Sequence, residues 1–305
     1  MPKASNAKNT NSHTLAVKLC LDSQVERQRR TIFSYQLALG KQYKSRLITL
    51  PWITWLITLL TCGIWGAIAY QVALRAGAHT FRETLANIFA NTEDANVLIA
   101  FGAKYDPAIL SGQYWRLITP IFLHANILHV GMNMLNFLLL GLIVEHIFGH
   151  TRFLFIYLLT GIISTLSSFV FAPQEVSIGA SGAIFGLVGA YSAFILIHRL
   201  AFRYHGFFAL SWLFLIIGIN LALGFVIPGI DNYAHVGGLL SGCLLGWCFA
   251  PFYSPYSVAI RQHGQPAGQP VASDMHSLKR RWPLALALII CTVLSAIIAI
   301  HLVGG

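Results

Sequence analysis

Charged residues are scarce in this sequence. Only 10% of its 305 residues are charged and 56% are hydrophobic, whereas a soluble domain of this length carries about a quarter charged residues. The mean hydropathy is +0.66. The composition therefore predicts that lipid surrounds much of the chain.

Acidic residues are scarcer than basic residues, with 10 Asp and Glu against 20 Lys and Arg. A net charge of +10 is also common in nucleic-acid-binding proteins. Here, however, the basic residues lie outside the apolar runs or at their ends, and nine of the 20 lie in the first 46 residues. We interpret the excess as a membrane-topology signal and predict no nucleic-acid partner.

Several motifs that would indicate other chemistries are also missing. The five cysteines form no CxxC pair and lie mostly in apolar segments, so we predict neither disulfides nor a metal site. The sequence contains no HExxH, which a zinc metalloprotease requires, and Glu145 is the only acidic residue in the apolar runs, whereas an aspartyl intramembrane protease requires two. A transporter would show internal repeats or charges in the middle of the membrane, and neither is visible.

Long apolar stretches fill most of the sequence after residue 46, and seven of them are long enough, or nearly so, to cross a hydrocarbon layer about 30 Å thick. The predicted spans are 48–71, 122–144, 152–172, 181–200, 207–227, 234–252 and 283–303. They predict an all-α polytopic membrane protein. The predicted organisation is a basic cytoplasmic tail (1–46), a six-helix core (47–252), a linker rich in Pro and Gly (253–281) and an additional transmembrane helix (282–305).

The basic residues outside the spans predict the orientation of the chain. They concentrate in the tail and in alternate loops, which places the N-terminus in the cytoplasm. The second, fourth and sixth spans would then all run inward from the opposite face. We expect a bacterial cytoplasmic membrane, although Arg27, Arg29 and Arg30 in a tail with few acidic residues leave a mitochondrial transit peptide open.

A candidate nucleophile lies at the start of the fourth span, in Gly179-Ala180-Ser181-Gly182. Small neighbours allow close approach to the Ser181 hydroxyl, and the free N–H groups at a helix start can bind a developing oxyanion. The alternative is that Gly182 and Gly186 form a GxxxG helix-packing face of which Ser181 is merely a part.

A candidate general base lies at the start of the sixth span, in Ala234-His235-Val236-Gly237-Gly238. A neutral imidazole can accept the serine proton and return it to the leaving amine. Gly238, Gly242 and Gly246 lie on one helical face, so this helix can pack closely against the fourth span. The alternative is an interfacial histidine that faces lipid headgroups.

His129 and Asn133, four residues apart in the second span, share one helical face. Both side chains can donate hydrogen bonds to an oxyanion, and the alternative is a polar clamp between helices. The predicted span places His129 about 10 Å below its start. Because the three spans run in one direction, we expect Ser181, His235, His129 and Asn133 to lie at a similar depth below the extracytoplasmic face.

Three further polar residues lie near the cytoplasmic end of the second span. We expect Glu145 to be structural, either paired with Arg152 or capping a neighbouring loop. His146 and His150 could bind a metal in principle, but we interpret them as polar residues at a helix end and predict no metal.

These motifs, in this order, resemble those of the rhomboid family of intramembrane serine proteases. Trp115-Arg116 matches the WR pair of the first extracytoplasmic loop, and His129-x-x-x-Asn133 matches the HxxxN oxyanion pair. The GxSG nucleophile motif and the AHxxG motif of the base correspond to Gly179–Gly182 and Ala234–Gly238.

The resemblance implies a six-plus-one arrangement of helices and a Ser181–His235 dyad that needs no cofactor. It places Phe185 where an aromatic ring stacks on the base histidine, Gly179, Gly182 and Gly238 as supporting residues, and Glu145 at the acidic position that ends the second helix. No acidic residue in the spans is placed to orient His235, and we interpret Asp231 as loop structure.

The implied activity is the cleavage of transmembrane segments of other membrane proteins near the extracytoplasmic face. The alternative is an inactive rhomboid-like protein that binds and escorts membrane proteins. The sequence does not indicate the substrates or the oligomeric state.

Overall fold

The structure is a computed structural model that describes Gln24, Glu26 and residues 49–90, 93–173, 175–227, 229–252, 274 and 276–304, with the backbone alone at 200, 201 and 203–205. The described residues from 49 to 251 and from 276 to 304 belong to one compact unit. Almost all of the predicted tail, and the predicted linker up to residue 273, lie outside the described residues.

From residue 49 onward the described chain is helical, with an isolated β-bridge between Lys104 and Ser177. In chain order, the α-helices are α1 (Trp52–Arg75), α2 (Phe81–Phe89), α3 (Ala95–Phe101), α4 (Asp106–Leu110), α5 (Ile127–Phe148), α6 (His150–Phe171), α7 (Ser181–Ile197), α8 (Arg199–Val226), α9 (Asn232–Phe249) and α10 (Leu278–Gly304). Two 3₁₀ turns, Tyr114–Leu117 and Thr119–Phe122, complete the connection between α1 and α5.

Each of the seven predicted spans overlaps one of the seven long helices, which confirms an all-α polytopic membrane fold. Five described helices, α1, α5, α6, α8 from Gly206, and α10, are long and apolar enough to cross a membrane. The other two, α7 and α9, have 17 and 18 residues, about 25 and 27 Å of helix. These two helices carry Ser181 and His235.

Two predicted boundaries differ from the structure. The second span was predicted from residue 122, but α5 begins at Ile127 because the Asn126 side chain accepts a hydrogen bond from the His129 N–H (2.8 Å) and caps the helix. The linker was predicted to extend to residue 281, but α10 begins at Leu278 and bends at Arg281. Pro283 follows this bend, in the first turn of the straight segment, where a missing N–H is tolerated.

Close packing of α7 against α9 is made possible by facing glycines. A Cβ atom on Gly238 would lie 2.0 Å from the Gly182 carbonyl oxygen, and one on Gly242 would lie 2.0 Å from that of Gly186. No side chain fits at such distances, so the two backbones are in direct contact. Because the contacts advance in the same order along both helices, α7 and α9 are parallel and their N-terminal ends meet.

The second span follows the same direction. Near its start, the His129 ring of α5 lies over Gly179, just before α7, and at its end Phe148 contacts Phe194, near the end of α7 (ring centroids 6.1 Å). The expectation that the second, fourth and sixth spans are parallel is therefore confirmed.

Candidate active site

Ser181 is the first residue of α7 and is placed by the chain that precedes it. Gly179 has a positive φ of 120°, and its N–H donates to the Pro120 carbonyl (2.9 Å). Ala180 is fully buried, and its N–H donates to Nε2 of His124 (3.4 Å). Both acceptors belong to the segment between α4 and α5, so that segment fixes the backbone immediately before Ser181.

His235, in the first turn of α9, faces Ser181. Its Nε2 atom lies 2.8 Å from the Ser181 Oγ atom, within hydrogen-bond distance, and the residue is only 6% exposed. The ring of Phe185 stacks on the imidazole with centroids 4.5 Å apart and planes 9° from parallel. Phe185 therefore restricts the rotation of the imidazole and keeps Nε2 directed at the hydroxyl.

The alternatives for the two motifs can now be compared with the contacts. Gly182 and Gly186 do form a packing face, against Ser164, Thr160 and the glycines of α9. Ser181 lies beside that face, and its hydroxyl contacts His235. His235 is buried between helices, which excludes the headgroup-facing position.

His129 is nearer to the helix start than the sequence predicted. It is the third residue of α5 and not a residue about two turns inside the span, because the Asn126 cap begins the helix later. Its ring lies beside Gly179, where an added Cβ would be 2.9 Å from the His129 Nε2 atom. The histidine is therefore adjacent to the segment that leads into Ser181, the candidate nucleophile.

Asn133 lies one turn further along α5 and is buried. Its Nδ2 atom donates to the His129 carbonyl (3.0 Å), and the amide carries a second hydrogen that this bond does not use. The structure thus brings His129 and Asn133 to the same end of the bundle as Ser181 and His235, but the bond that it shows for Asn133 is internal to α5.

Trp115 and Arg116 hold the segment before α5 together. The Arg116 guanidinium lies over the Trp115 ring (4.6 Å), and its Nη1 atom donates to the carbonyls of Ile99 (2.7 Å) and Ala103 (3.0 Å). Burial lowers the pKa of Arg116 from its ordinary value. The pair braces the loop and does not contact Ser181 in the part of the chain that the structure describes.

Glu145 caps the start of α1. Its carboxylate accepts hydrogen bonds from the N–H groups of Ile53 (3.1 Å) and Thr54 (2.8 Å), and it contacts His150 Nδ1 (2.5 Å). Arg152 instead donates to the Phe148 carbonyl (2.7 Å). Of the two structural roles considered for Glu145, capping is the one that the structure shows.

No cluster of three metal-binding side chains occurs among the residues that the structure describes. His146 Nδ1 contacts the Leu142 carbonyl (2.5 Å) and His150 contacts Glu145, so both histidines have helix-end partners.

Sequence reasoning missed the part played by Lys104. This lysine is fully buried, and its Nζ donates to the carbonyls of Ala172 (2.6 Å) and Glu175 (3.0 Å) and lies 3.0 Å from the Asp106 carboxylate. These bonds hold the segment between α6 and α7 in place, and that segment leads directly into Ser181. A single lysine in a polar loop gives no sequence signal of burial; the same is true of His124.

Comparison with known proteins agrees with this architecture. The family model for the Rhomboid domain matches residues 111–252, which include all four motifs. RHOMBOID-like protein 5 of Arabidopsis thaliana is 32% identical over 215 residues, covering 66% of this chain and 69% of that protein. The chain belongs to the rhomboid family.

Other rhomboid relatives match shorter parts. Rhomboid protease GluP of Bacillus subtilis is 44% identical over 52% of this chain and 30% of its own length. RHOMBOID-like protein 6, mitochondrial, of Arabidopsis thaliana is 36% identical over 60% of this chain and 59% of its own length. The chain thus spans less than two thirds of these two relatives. Since one of them is mitochondrial, they do not support the bacterial cytoplasmic membrane that the sequence analysis expected.

Proposed function

We propose that this rhomboid is an intramembrane serine endopeptidase that uses Ser181 and His235 as a catalytic dyad. The observation that carries the proposal is the 2.8 Å contact between Ser181 Oγ and His235 Nε2. In the first step His235 Nε2 takes the hydroxyl proton while Oγ bonds to the carbonyl carbon of the scissile peptide. The C–N bond then breaks, and the imidazolium returns the proton to the leaving amine.

A water molecule then hydrolyses the acyl-enzyme, with His235 again as the base. The negative charge that develops on the carbonyl oxygen in both steps needs hydrogen-bond donors. We assign this role to the N–H of Ser181, which has no acceptor within the first turn of its helix, together with His129 and Asn133. The adjacency of His129 to Gly179 supports the assignment.

The proposed substrates are transmembrane segments of other proteins, cut near the extracytoplasmic face. The dyad lies at the N-terminal ends of two parallel helices, and the distribution of basic residues directs those ends away from the cytoplasm. Lys104 and Arg116, two of the four basic residues assigned to the opposite side (Arg75, Arg82, Lys104 and Arg116), are buried with internal acceptors. The charge bias at the surface is therefore larger than the sequence count indicates.

The alternative function is that of an inactive rhomboid-like protein that binds and escorts membrane proteins. Such a protein has no need of a serine and a histidine at hydrogen-bond distance with an aromatic ring stacked on the base. The geometry therefore favours the protease.

The test is cleavage of a model transmembrane substrate by the full chain, purified in detergent and reconstituted in liposomes. We expect Ser181→Ala and His235→Ala each to lower kcat by at least about 10⁴-fold, because each member of such a unit is nearly indispensable. Ser211→Ala is the matched control, since Ser211 is exposed on α8 and donates to a backbone carbonyl. Labelling by a fluorophosphonate should disappear in Ser181→Ala alone among the serine variants. Cleavage that survives either dyad change contradicts the proposal.

Asn133→Ala tests the oxyanion assignment separately. One oxyanion donor is worth about 3 kcal/mol, so we expect kcat to fall by about 10²-fold or somewhat more without vanishing. The measurement is kcat at saturating substrate, with the melting temperature as a check on folding. An unchanged kcat would remove Asn133 from the site.

A further inference from the structure

The second ring nitrogen of His235 has no hydrogen-bond partner in the part of the chain that the structure describes. Nδ1 is buried, whereas Nε2 contacts Ser181. A base that accepts a proton at Nε2 must carry its own proton at Nδ1. An unpaired buried N–H costs about 1–3 kcal/mol, so this atom calls for an acceptor.

Asp231 supplies an acceptor on the same helix. It is the N-cap of α9, not simply loop structure as the sequence suggested: Oδ1 accepts the Ala234 N–H (2.9 Å). The other oxygen, Oδ2, is buried and has no hydrogen-bond partner among the described residues. The Nδ1 donor of His235 and the Oδ2 acceptor of Asp231 are thus both buried, on residues that lie one helical turn apart.

The four-residue spacing places Asp231 and His235 on the same side of α9. The His235 N–H donates to the Asp231 carbonyl (3.2 Å). Helical side chains lean toward the N-terminus, so the imidazole of His235 extends over the turn that contains Asp231. Phe185 stacks on one face of the ring and does not cover the edge where Nδ1 lies.

We propose that Asp231 is a positioning residue for His235, with Oδ2 accepting the Nδ1 proton through one bound water molecule. The water has a donor on one side and an anionic acceptor on the other, which are the polar partners that a buried water needs. The inference rests on the proposed function. It turns the dyad into a water-linked triad, in which the carboxylate fixes the tautomer and stabilises the imidazolium.

Three substitutions separate this role from the capping role. Asp231→Ser keeps a good N-cap oxygen but has no second oxygen, Asp231→Asn keeps the cap and a neutral acceptor, and Asp231→Ala loses both. Asp94→Ser is the matched control, because Asp94 caps α3 by accepting hydrogen bonds from the N–H groups of Asn96 and Val97 and contacts no site residue in the described structure. Each variant is assayed as the full chain for kcat, KM, rate of fluorophosphonate labelling and melting temperature.

We expect Asp231→Ser to lower kcat and the labelling rate by about tenfold, the lower end of the losses found when the hydrogen-bond partner that orients a metal-ligating histidine is removed. KM and the melting temperature should stay at the wild-type values, Asp231→Asn should show a smaller loss of kcat, and Asp94→Ser should match the wild type. Asp231→Ala should lower the melting temperature as well.

Two results overturn the inference. One is a wild-type kcat and labelling rate in Asp231→Ser, and the other is a loss of activity that follows the melting temperature in all three variants. Neither affects the proposed function, which fails if the wild type neither cleaves nor labels at Ser181, or if cleavage survives Ser181→Ala or His235→Ala. The two failures are therefore distinguishable.

Discussion

The inner helices α7 and α9 contrast with the outer helices α8 and α10. Thirteen of the 17 residues of α7 are buried, whereas Gly206 and Ile217 are the only buried residues among the described side chains of α8. In α10 the buried residues are Ala285 and Ala299. The outer helices thus expose most of their described side chains, whereas α7, which carries Ser181, is surrounded by protein and α9 buries the face that carries His235. Polar groups at membrane depth are tolerated because protein shields them from lipid.

The inner helices are also held together differently. Lipid is as apolar as leucine, so burial of apolar side chains supplies little force between helices, and close van der Waals contact replaces it. The facing glycines of α7 and α9 provide that contact, while α8 offers bulky side chains to lipid. We therefore expect the inner part of the molecule to respond strongly to small changes and the outer helices to respond weakly.

The largest effect is expected from Lys104→Met, in the segment that fastens the chain before α7. Removing one partner of a buried ion pair costs about 3–5 kcal/mol, and the carbonyls of Ala172 and Glu175 also lose their donor. The measurement is thermal or denaturant unfolding in detergent. Lys279→Met, at an exposed lysine in α10, should stay within about 0.5 kcal/mol of wild type; equal effects of the two substitutions would contradict the contrast.

The loss of stability caused by Lys104→Met should depend on pH. Burial raises the pKa of Asp106, and Lys104 opposes that rise. Without the lysine the pKa of Asp106 in the folded state rises further above its unfolded value, so stability is lost as the pH rises through the folded-state pKa. Lowering the pH through that value should bring the variant closer to wild type.

The next largest effect is expected from Gly242→Ala and Gly218→Ala, which should change the unfolding free energy in opposite directions. In Gly242→Ala the new Cβ would lie 2.0 Å from a backbone oxygen, so α7 and α9 must separate, at a cost of about 3 kcal/mol. A Cβ at Gly218 of α8 meets nothing within 4 Å, so Gly218→Ala should be neutral or stabilising by up to about 1 kcal/mol. Unfolding free energies and kcat of the two variants provide the comparison, and similar losses would refute it.

The same contrast explains what could be predicted from the sequence. The apolar spans and the glycine spacing are local patterns, and they predicted the helices and the close packing that can bring His235 to Ser181; the pairing of these two residues as a dyad came from the resemblance to the rhomboid family. The start of α5 was predicted too early because Phe122 and Leu123 extend the apolar run to residues that precede the helix. The helix itself starts at Ile127, directly after its N-cap Asn126. The burial of Lys104 and His124 depends on segments distant in the sequence, and no local pattern encodes it.

The smallest effect is expected within a single outer helix. Ile217 of α8 is 7% exposed and packs against Phe185 and Val188, whereas Phe214, three residues earlier, is 61% exposed. Phe214→Ala should change the unfolding free energy by no more than about 0.5 kcal/mol. Ile217→Ala should cost about 2 kcal/mol, the lower end of the range for such truncations, because lipid or a neighbouring side chain can fill part of the space.

Ile217→Ala should also affect the chemistry, because Ile217 belongs to the same buried cluster as Phe185, whose ring stacks on the imidazole of His235. A Phe185 ring that has lost its support on one side restrains the imidazole less, so we expect kcat to fall several-fold while Phe214→Ala keeps the wild-type value. If both substitutions leave kcat unchanged, α8 gives no support to the base. If both lower it equally, the distinction between the buried and the lipid-facing side of α8 is wrong.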